Sequence, residues 1–153
     1  RFLLKILIDY PSEAEEQALV AQVTGGRVGD GLDVSQVATI AKPENISSMQ
    51  RIAASLQVDR QVNDYAVRIV RATRAWTGVS VGAGPRGGIA LIRAARAAAL
   101  LGGRDFVSPD DIKAVALPAL RHRILLSPEL ELEGHDTDQV LRALLEKVEA
   151  PRR

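Results

Sequence analysis

Between Gly82 and Gly103 the chain has few conformational choices. Gly82-Ala83-Gly84-Pro85-Arg86-Gly87-Gly88 runs into a stretch of Ile, Ala, Leu and two arginines from Ile89 to Leu101, and that stretch ends at Gly102-Gly103. Pro85 has a fixed φ suited to a first helical turn, where its missing N–H is no loss. Glycine at the other end supplies a left-handed stop. A helix is therefore expected from Pro85 to Leu101, with Arg86 in its first turn beside a glycine-rich loop. Two anion attractors coincide there, the positive helix N-terminus with its free N–H groups and a guanidinium fork. At 100° per residue Arg86, Arg93 and Arg96 fall within an arc of about 80°. The rest of the circumference is Ala, Leu and Ile, which predicts a central helix packed on several sides and showing one basic stripe. The alternative is a buried alanine-rich helix whose arginines merely reach out to water, since most glycine loops before helices bind no phosphate.

The size of the chain, 153 residues, allows one domain or a little more, with a real core. A net charge of +1 argues against non-specific nucleic-acid binding, which needs a strongly basic face. Without cysteine there is neither a disulfide framework nor a thiolate metal site. The two histidines, His122 and His135, are too few for a histidine cluster. No run of about 18 apolar residues offers a membrane span, and nothing resembles a signal peptide. Abundant alanine and 3% aromatic residues favour helices over a β-sandwich. The chain opens on Arg1, straight into an apolar run, which reads as a piece of a longer protein.

That run, Phe2 to Ile8, has the length and continuity of a strand buried on both faces. Nothing later offers it a parallel partner, so it is expected as an orphan strand that pairs with another copy, tucks against the helices or stays ill-ordered. The alternative is the first core element of a complete domain. Ser12 with Glu15 forms a capping box for a helix to about Val23 that buries Leu19, Val20 and Val23. Thr24 to Gly31 is a glycine-rich loop, and Leu32 to Ala41 is either one helical turn or an extended connector. Pro43 opens a helix to about Leu56, with Ile46, Met49, Ile52, Ala53 and Leu56 at helical spacing. Asp59 caps a helix from Arg60 to Trp76 that buries Val62, Ala66, Ile69 and Thr73, with Trp76 on the same face and Asp64–Arg68 as an i,i+4 pair. Thr77 to Gly84 is a loop, and Arg104 to Val107 is a short extended stretch. Ser108-Pro109-Asp110-Asp111 starts a helix to about Arg121. Ile124–Leu126 and Leu130–Leu132 suggest a hairpin around Ser127-Pro128. Asp136 or Thr137 caps a last helix that buries Val140, Leu141, Leu144, Leu145 and Val148.

Chemistry of its own is hard to find in this chain. It has no Walker A loop, no paired carboxylates in an acid/base setting and no nucleophile with its histidine. Asp110-Asp111 reads as capping charge, and His122 between two arginines reads as a helix-end cation. The chain alone is expected to be inactive and to bind no metal.

Several motifs then agree in order and spacing. Tyr10-Pro11-Ser12 with Glu15-Glu16, Val58-Asp59, Tyr65, Ala72-Thr73-Arg74, Gly82 to Arg86, Gly103 to Ile112, and Leu120-Arg121-His122-Arg123 resemble the C-terminal part of MoxR-family AAA+ ATPases over nearly the whole chain. That family usually has serine where this chain has Gly84. The resemblance implies an all-α fold, a helical-bundle AAA+ lid of about 5–6 helices with an N-terminal orphan strand and short β segments. Residues 1–9 would be the last strand of the AAA+ core and residues 10–150 the helical, sensor-2 lid. Arg86 matches the sensor-2 arginine that approaches the ATP γ-phosphate, in its own subunit or in a neighbour's. Arg1 matches the arginine just before the strand, which resembles an arginine finger. Tyr10-Pro11 falls near the adenine, and Gly84-Pro85-Arg86 near the phosphates. The resemblance further implies ATP with Mg2+ in the parent protein, hexameric rings in the cytoplasm, and a von Willebrand factor A domain partner. The expected role is chaperone-like, maturing or metal-loading client proteins. Two alternatives stand beside it, the lid of a magnesium-chelatase-like ATPase subunit and a helical adaptor or DNA-binding module.

Overall fold

Seven helices and four short strands follow one another in this computed structural model, which describes residues 2–25, 34–35 and 37–151. They are α1 (Glu13–Thr24), α2 (Pro43–Ser55), β1 (Gln57–Val58), α3 (Arg60–Ala75), β2 (Val79–Val81) and α4 (Pro85–Leu101), then β3 (Phe106–Val107), α5 (Pro109–Leu120), β4 (Leu125–Leu126), α6 (Pro128–Leu132) and α7 (Thr137–Lys147). The helical-bundle expectation holds, with one helix more than anticipated. Arg1, most of the Thr24–Gly31 loop and part of the 32–41 connector lie outside the described residues.

Local signals place most helix starts. Ser12, Ser108 and Asp136 each form a capping box, with Glu15, Asp111 and Gln139 returning the bond. Asp59 accepts from the Gln61 N–H at the start of α3. Proline begins α2, α4, α5 and α6. Past the end of α4, Gly103 takes a φ of 71°, the left-handed stop that the glycine pair predicts.

At the centre α4 packs against α5, α3, α2 and β3. Its buried face is Gly87, Ala90, Leu91, Ala94, Ala95 and Ala99, small enough to bring α5 close through Ile112, Ala116, Ala119 and Leu120. From α3 come Tyr65, Ala66 and Ile69, and from α7 Leu141 and Leu144, all essentially sealed from water. A fully buried Leu or Ile contributes about 1.5–3 kcal/mol by leaving water, so this junction is the main source of stability. Outside the core the Lys147 ammonium sits 4.9 Å above the Trp76 ring and ties α7 to the end of α3.

Several expectations are corrected. Residues 2–8 form no ladder; they run extended against the end of α5, held by a bond from the Lys5 N–H to the Pro118 carbonyl at 2.8 Å. They have tucked against the helices, as one of the expected outcomes had it. Leu19, Val20 and Val23 are not buried, and α1 buries none of its residues. The Asp64–Arg68 pair does not form; Asp64 lies 3.9 Å from Arg60, and Arg68 lies over the Tyr65 ring. The hairpin is replaced by two separate elements. β4 pairs antiparallel with β2, which lies in the expected 77–84 loop, and Pro128–Leu132 is α6. Ser127 accepts from the Leu130 N–H, so a local cap outweighs a two-residue alternation. β1 and β3 form a second, parallel pair.

Candidate functional site

The site is built from the last turn of α3 upward. Thr73 is fully buried there. Its hydroxyl donates to the Val70 carbonyl at 2.7 Å and accepts the Ala83 N–H at 2.9 Å. The next residue, Arg74, donates from Nε to the Ala83 carbonyl at 2.8 Å. Both main-chain polar groups of Ala83 are thus clamped by α3. The loop passes so close that a Cβ on Gly82 would lie 2.6 Å from the Arg74 Cα, which is why glycine stands there. Replacing Thr73 by valine leaves a buried N–H without an acceptor. A loss of about 1–2 kcal/mol in thermal unfolding is expected, with Thr73→Ser near wild type.

Gly84 then caps α4 in an extended conformation without a side-chain bond, and nothing lies within 4 Å of where its Cβ would be. Serine fits that space and adds an acceptor for the first turn. Gly84→Ser is expected to stabilise by a few tenths of a kcal/mol, read as a rise of about 1 °C in melting temperature.

Arg86 follows Pro85 in the first turn. It is exposed, and among the described residues it has neither ion pair nor hydrogen bond. It faces an open groove of about 520 Å³ lined by Phe2, Leu3, Ile89, Ala90, Arg93 and Arg123. Arg86 and Arg93 therefore share one face, as the stripe predicts. Arg96, further round the same stripe, lines a neighbouring groove that also includes Arg93 and Ile89. Tyr10 is fully exposed, Pro11 is exposed, and neither lines the Arg86 groove. Arg1 is outside the described residues.

The basic triplet after α5 serves the scaffold. Arg121 makes a bidentate pair with Asp138 at 3.0 and 2.8 Å and reaches the Lys5 carbonyl at 3.2 Å. Arg123 donates to the Phe2 carbonyl at 2.6 Å, and the His122 Nε2 lies 3.3 Å from the same oxygen. These side chains fix residues 2–5 as the far wall of the Arg86 groove, and His122 is structural. Asp111 is likewise structural, with Arg104 bonded to both carboxylate oxygens. Among the described residues no cluster of His, Asp or Glu could hold a metal, and no helix is long and apolar enough to cross a membrane.

Comparison with known proteins agrees with this architecture. The sequence profile of the AAA lid domain matches residues 71–144. Chaperone MoxR1 of Mycobacterium tuberculosis is 33% identical over 99% of this chain and 41% of its own length. YeaC of Bacillus subtilis, an uncharacterized protein, is 37% identical over 99% of this chain and 46% of its own length. A crystal structure assigned as an ATPase from Cytophaga hutchinsonii superimposes with a TM-score of 0.82 at 30% identity, covering 99% of this chain and 47% of that one. The chain belongs to the MoxR family of AAA+ ATPases, as a lid region. It spans less than half the length of these relatives.

In this MoxR-family lid the profile match begins at Arg71, so it contains the Thr73–Arg74 clamp, the loop, α4 and α5. Sequence reasoning singled out Arg86; it placed Thr73 on a buried face and in the Ala72-Thr73-Arg74 motif without giving its hydroxyl a partner. The available signal was a hydroxyl on an otherwise apolar stripe, followed at once by an arginine.

Proposed function

We propose that this lid senses nucleotide for a MoxR-type ATPase, with Arg86 as the sensor-2 arginine meeting the terminal phosphate of ATP. The observation that carries the reading is the unpaired guanidinium of Arg86, in the first turn of a helix whose N-terminus no side chain caps, facing an open groove. A permanent cation and free N–H groups fit a polyphosphate; with no carboxylate cluster among the described residues, Mg2+ would be held by other parts of the parent protein. When bound there, ATP supplies the scissile phosphoanhydride, and the lid supplies positioning and charge.

In this reading residues 1–9 end the AAA+ core and residues 10–150 form the lid. Arg1 acts as an arginine finger, and Tyr10-Pro11 lies beside the adenine. The parent assembles as a hexameric ring in the cytoplasm. It works with a von Willebrand factor A domain protein and remodels client proteins in a chaperone-like way, including metal loading. The chain by itself hydrolyses nothing. The whole-chain match to MoxR1 supports this over a magnesium-chelatase-like lid, and the near-neutral charge weighs against a DNA-binding module. The test is ATP turnover set against nucleotide affinity for Arg86→Ala in the parent protein. Unchanged turnover withdraws the assignment.

A further inference from the structure

A second groove lies between α3 and α4, next to the Arg86 groove and sharing Ile89 and Arg93 with it. It holds about 520 Å³ and is lined by residues 63–74 of α3 and 85–96 of α4, about 16 Å along each helix. Arg71 and Arg74 stand on one wall, Arg93 and Arg96 on the other, and no acidic residue lines it. Arg71, Arg93 and Arg96 have no hydrogen-bond or ion-pair partner among the described residues, and the Arg96 Nε is shielded from water without an acceptor. Four like charges facing one another repel, and an orphaned buried donor calls for an acceptor from outside. The floor is apolar, and Val67 and Ile89 are half exposed.

We propose that this groove docks an acidic amphipathic helix of a partner protein, its carboxylates meeting Arg71, Arg93 and Arg96 and its apolar stripe lying on Val67 and Ile89. The length suits about three helical turns, far beyond one phosphate group. Nucleic acid is disfavoured because no aromatic side chain lines the groove for base stacking. The α1 helix of a second copy matches poorly. Its acids, Glu13, Glu15 and Glu16, all lie in the first turn, and the rest of α1 carries no charge, so half the groove would stay unmatched. The inference is independent of Arg86.

The test uses the intact parent protein and fluorescence anisotropy. The probe is a labelled helical peptide of about four turns, with glutamate along both flanks of a leucine stripe; its twin carries glutamine for every glutamate. The glutamate peptide is expected to bind at least tenfold tighter than the twin, and more weakly as salt rises. Arg71→Glu with Arg93→Glu should weaken it at least tenfold. Arg71→Glu alone, outside the Arg86 groove, should weaken it at least threefold. Both side chains are exposed, and circular dichroism verifies the fold. The proposal is overturned by no binding of the glutamate peptide, by equal binding of the twin, or by full binding to the double variant. It is equally overturned if a single-stranded oligonucleotide or a peptide of residues 12–25 binds more tightly with the same arginine dependence.

Discussion

On the sensor-2 reading proposed above, Arg86→Ala in the parent protein is expected to lower ATP turnover about a hundredfold while changing nucleotide affinity less than tenfold. A hundredfold corresponds to about 2.7 kcal/mol of barrier, the usual scale for removing one well-placed donor from developing charge. The asymmetry follows from where the charge appears. Ground-state ATP already shares its charge with metal and solvent, whereas the terminal phosphoryl group gains most from a fixed cation as it transfers. Arg86 suits that role because among the described residues no carboxylate pairs with it, and the surrounding main chain is tied down. Its loop is clamped at Ala83 by Thr73 and Arg74, and Pro85 presets the turn. Arg86→Lys keeps the charge and loses the fork, so partial activity between wild type and alanine is expected. Steady-state turnover measured beside equilibrium nucleotide binding separates the two effects. Equal losses in both would make Arg86 a binding residue and remove it from the chemistry.

The parts of this fold that the sequence discloses are those decided within four residues. Ser12, Asp59, Ser108 and Asp136 start helices by bonds to N–H groups two or three positions on, and Pro85 and Gly103 bound α4 by their own φ preferences. Arg86 and its stripe were legible for the same reason, since a helix once bounded fixes which side chains share a face. What was hidden depends on distant chain. β1 and β3 pair over two residues each, too short for any pattern to announce. Ser127-Pro128 carries the same cap signal as Ser108-Pro109, yet the leucines around it suggest alternation, and the cap prevails. Leu19, Val20 and Val23 of α1 were expected to be buried and are not, because local spacing says nothing about what covers a helix. Thr73 and Ala83 meet ten positions apart, and Arg123 reaches Phe2 across 121. Those contacts shape both walls of the groove, so the sequence shows the cation and conceals its housing.

Asp111→Ala is expected to destabilise the lid by about 2–3 kcal/mol, or to lower its melting temperature by about 5–10 °C. The carboxylate is buried, and four bonds converge on it. Arg104 donates to both oxygens at 2.6 Å, and the Ser108 N–H and hydroxyl donate at 2.8 Å. Alanine removes half of the α5 capping box and leaves the Ser108 N–H and the Arg104 fork without their acceptor. The loss propagates because α5 is the largest neighbour of α4, which carries Arg86. The same carboxylate makes the lid acid-sensitive. The Arg104 guanidinium, aided by Ser108 and opposed by burial, holds Asp111 down to about 2 from an ordinary 3.8. Its contribution is therefore complete above pH 4 and is lost as pH falls from about 4 through about 2. That contribution is at most about 2 kcal/mol, and less where solvent reaches the Arg104 side of the pair. Chemical denaturation at pH 7 and at pH 3 checks both claims. Wild type should lose stability between the two, and Asp111→Asn should lose less, since it has no carboxylate to protonate. An Asp111→Asn profile with the same acid slope as wild type would place the acid sensitivity elsewhere in the fold.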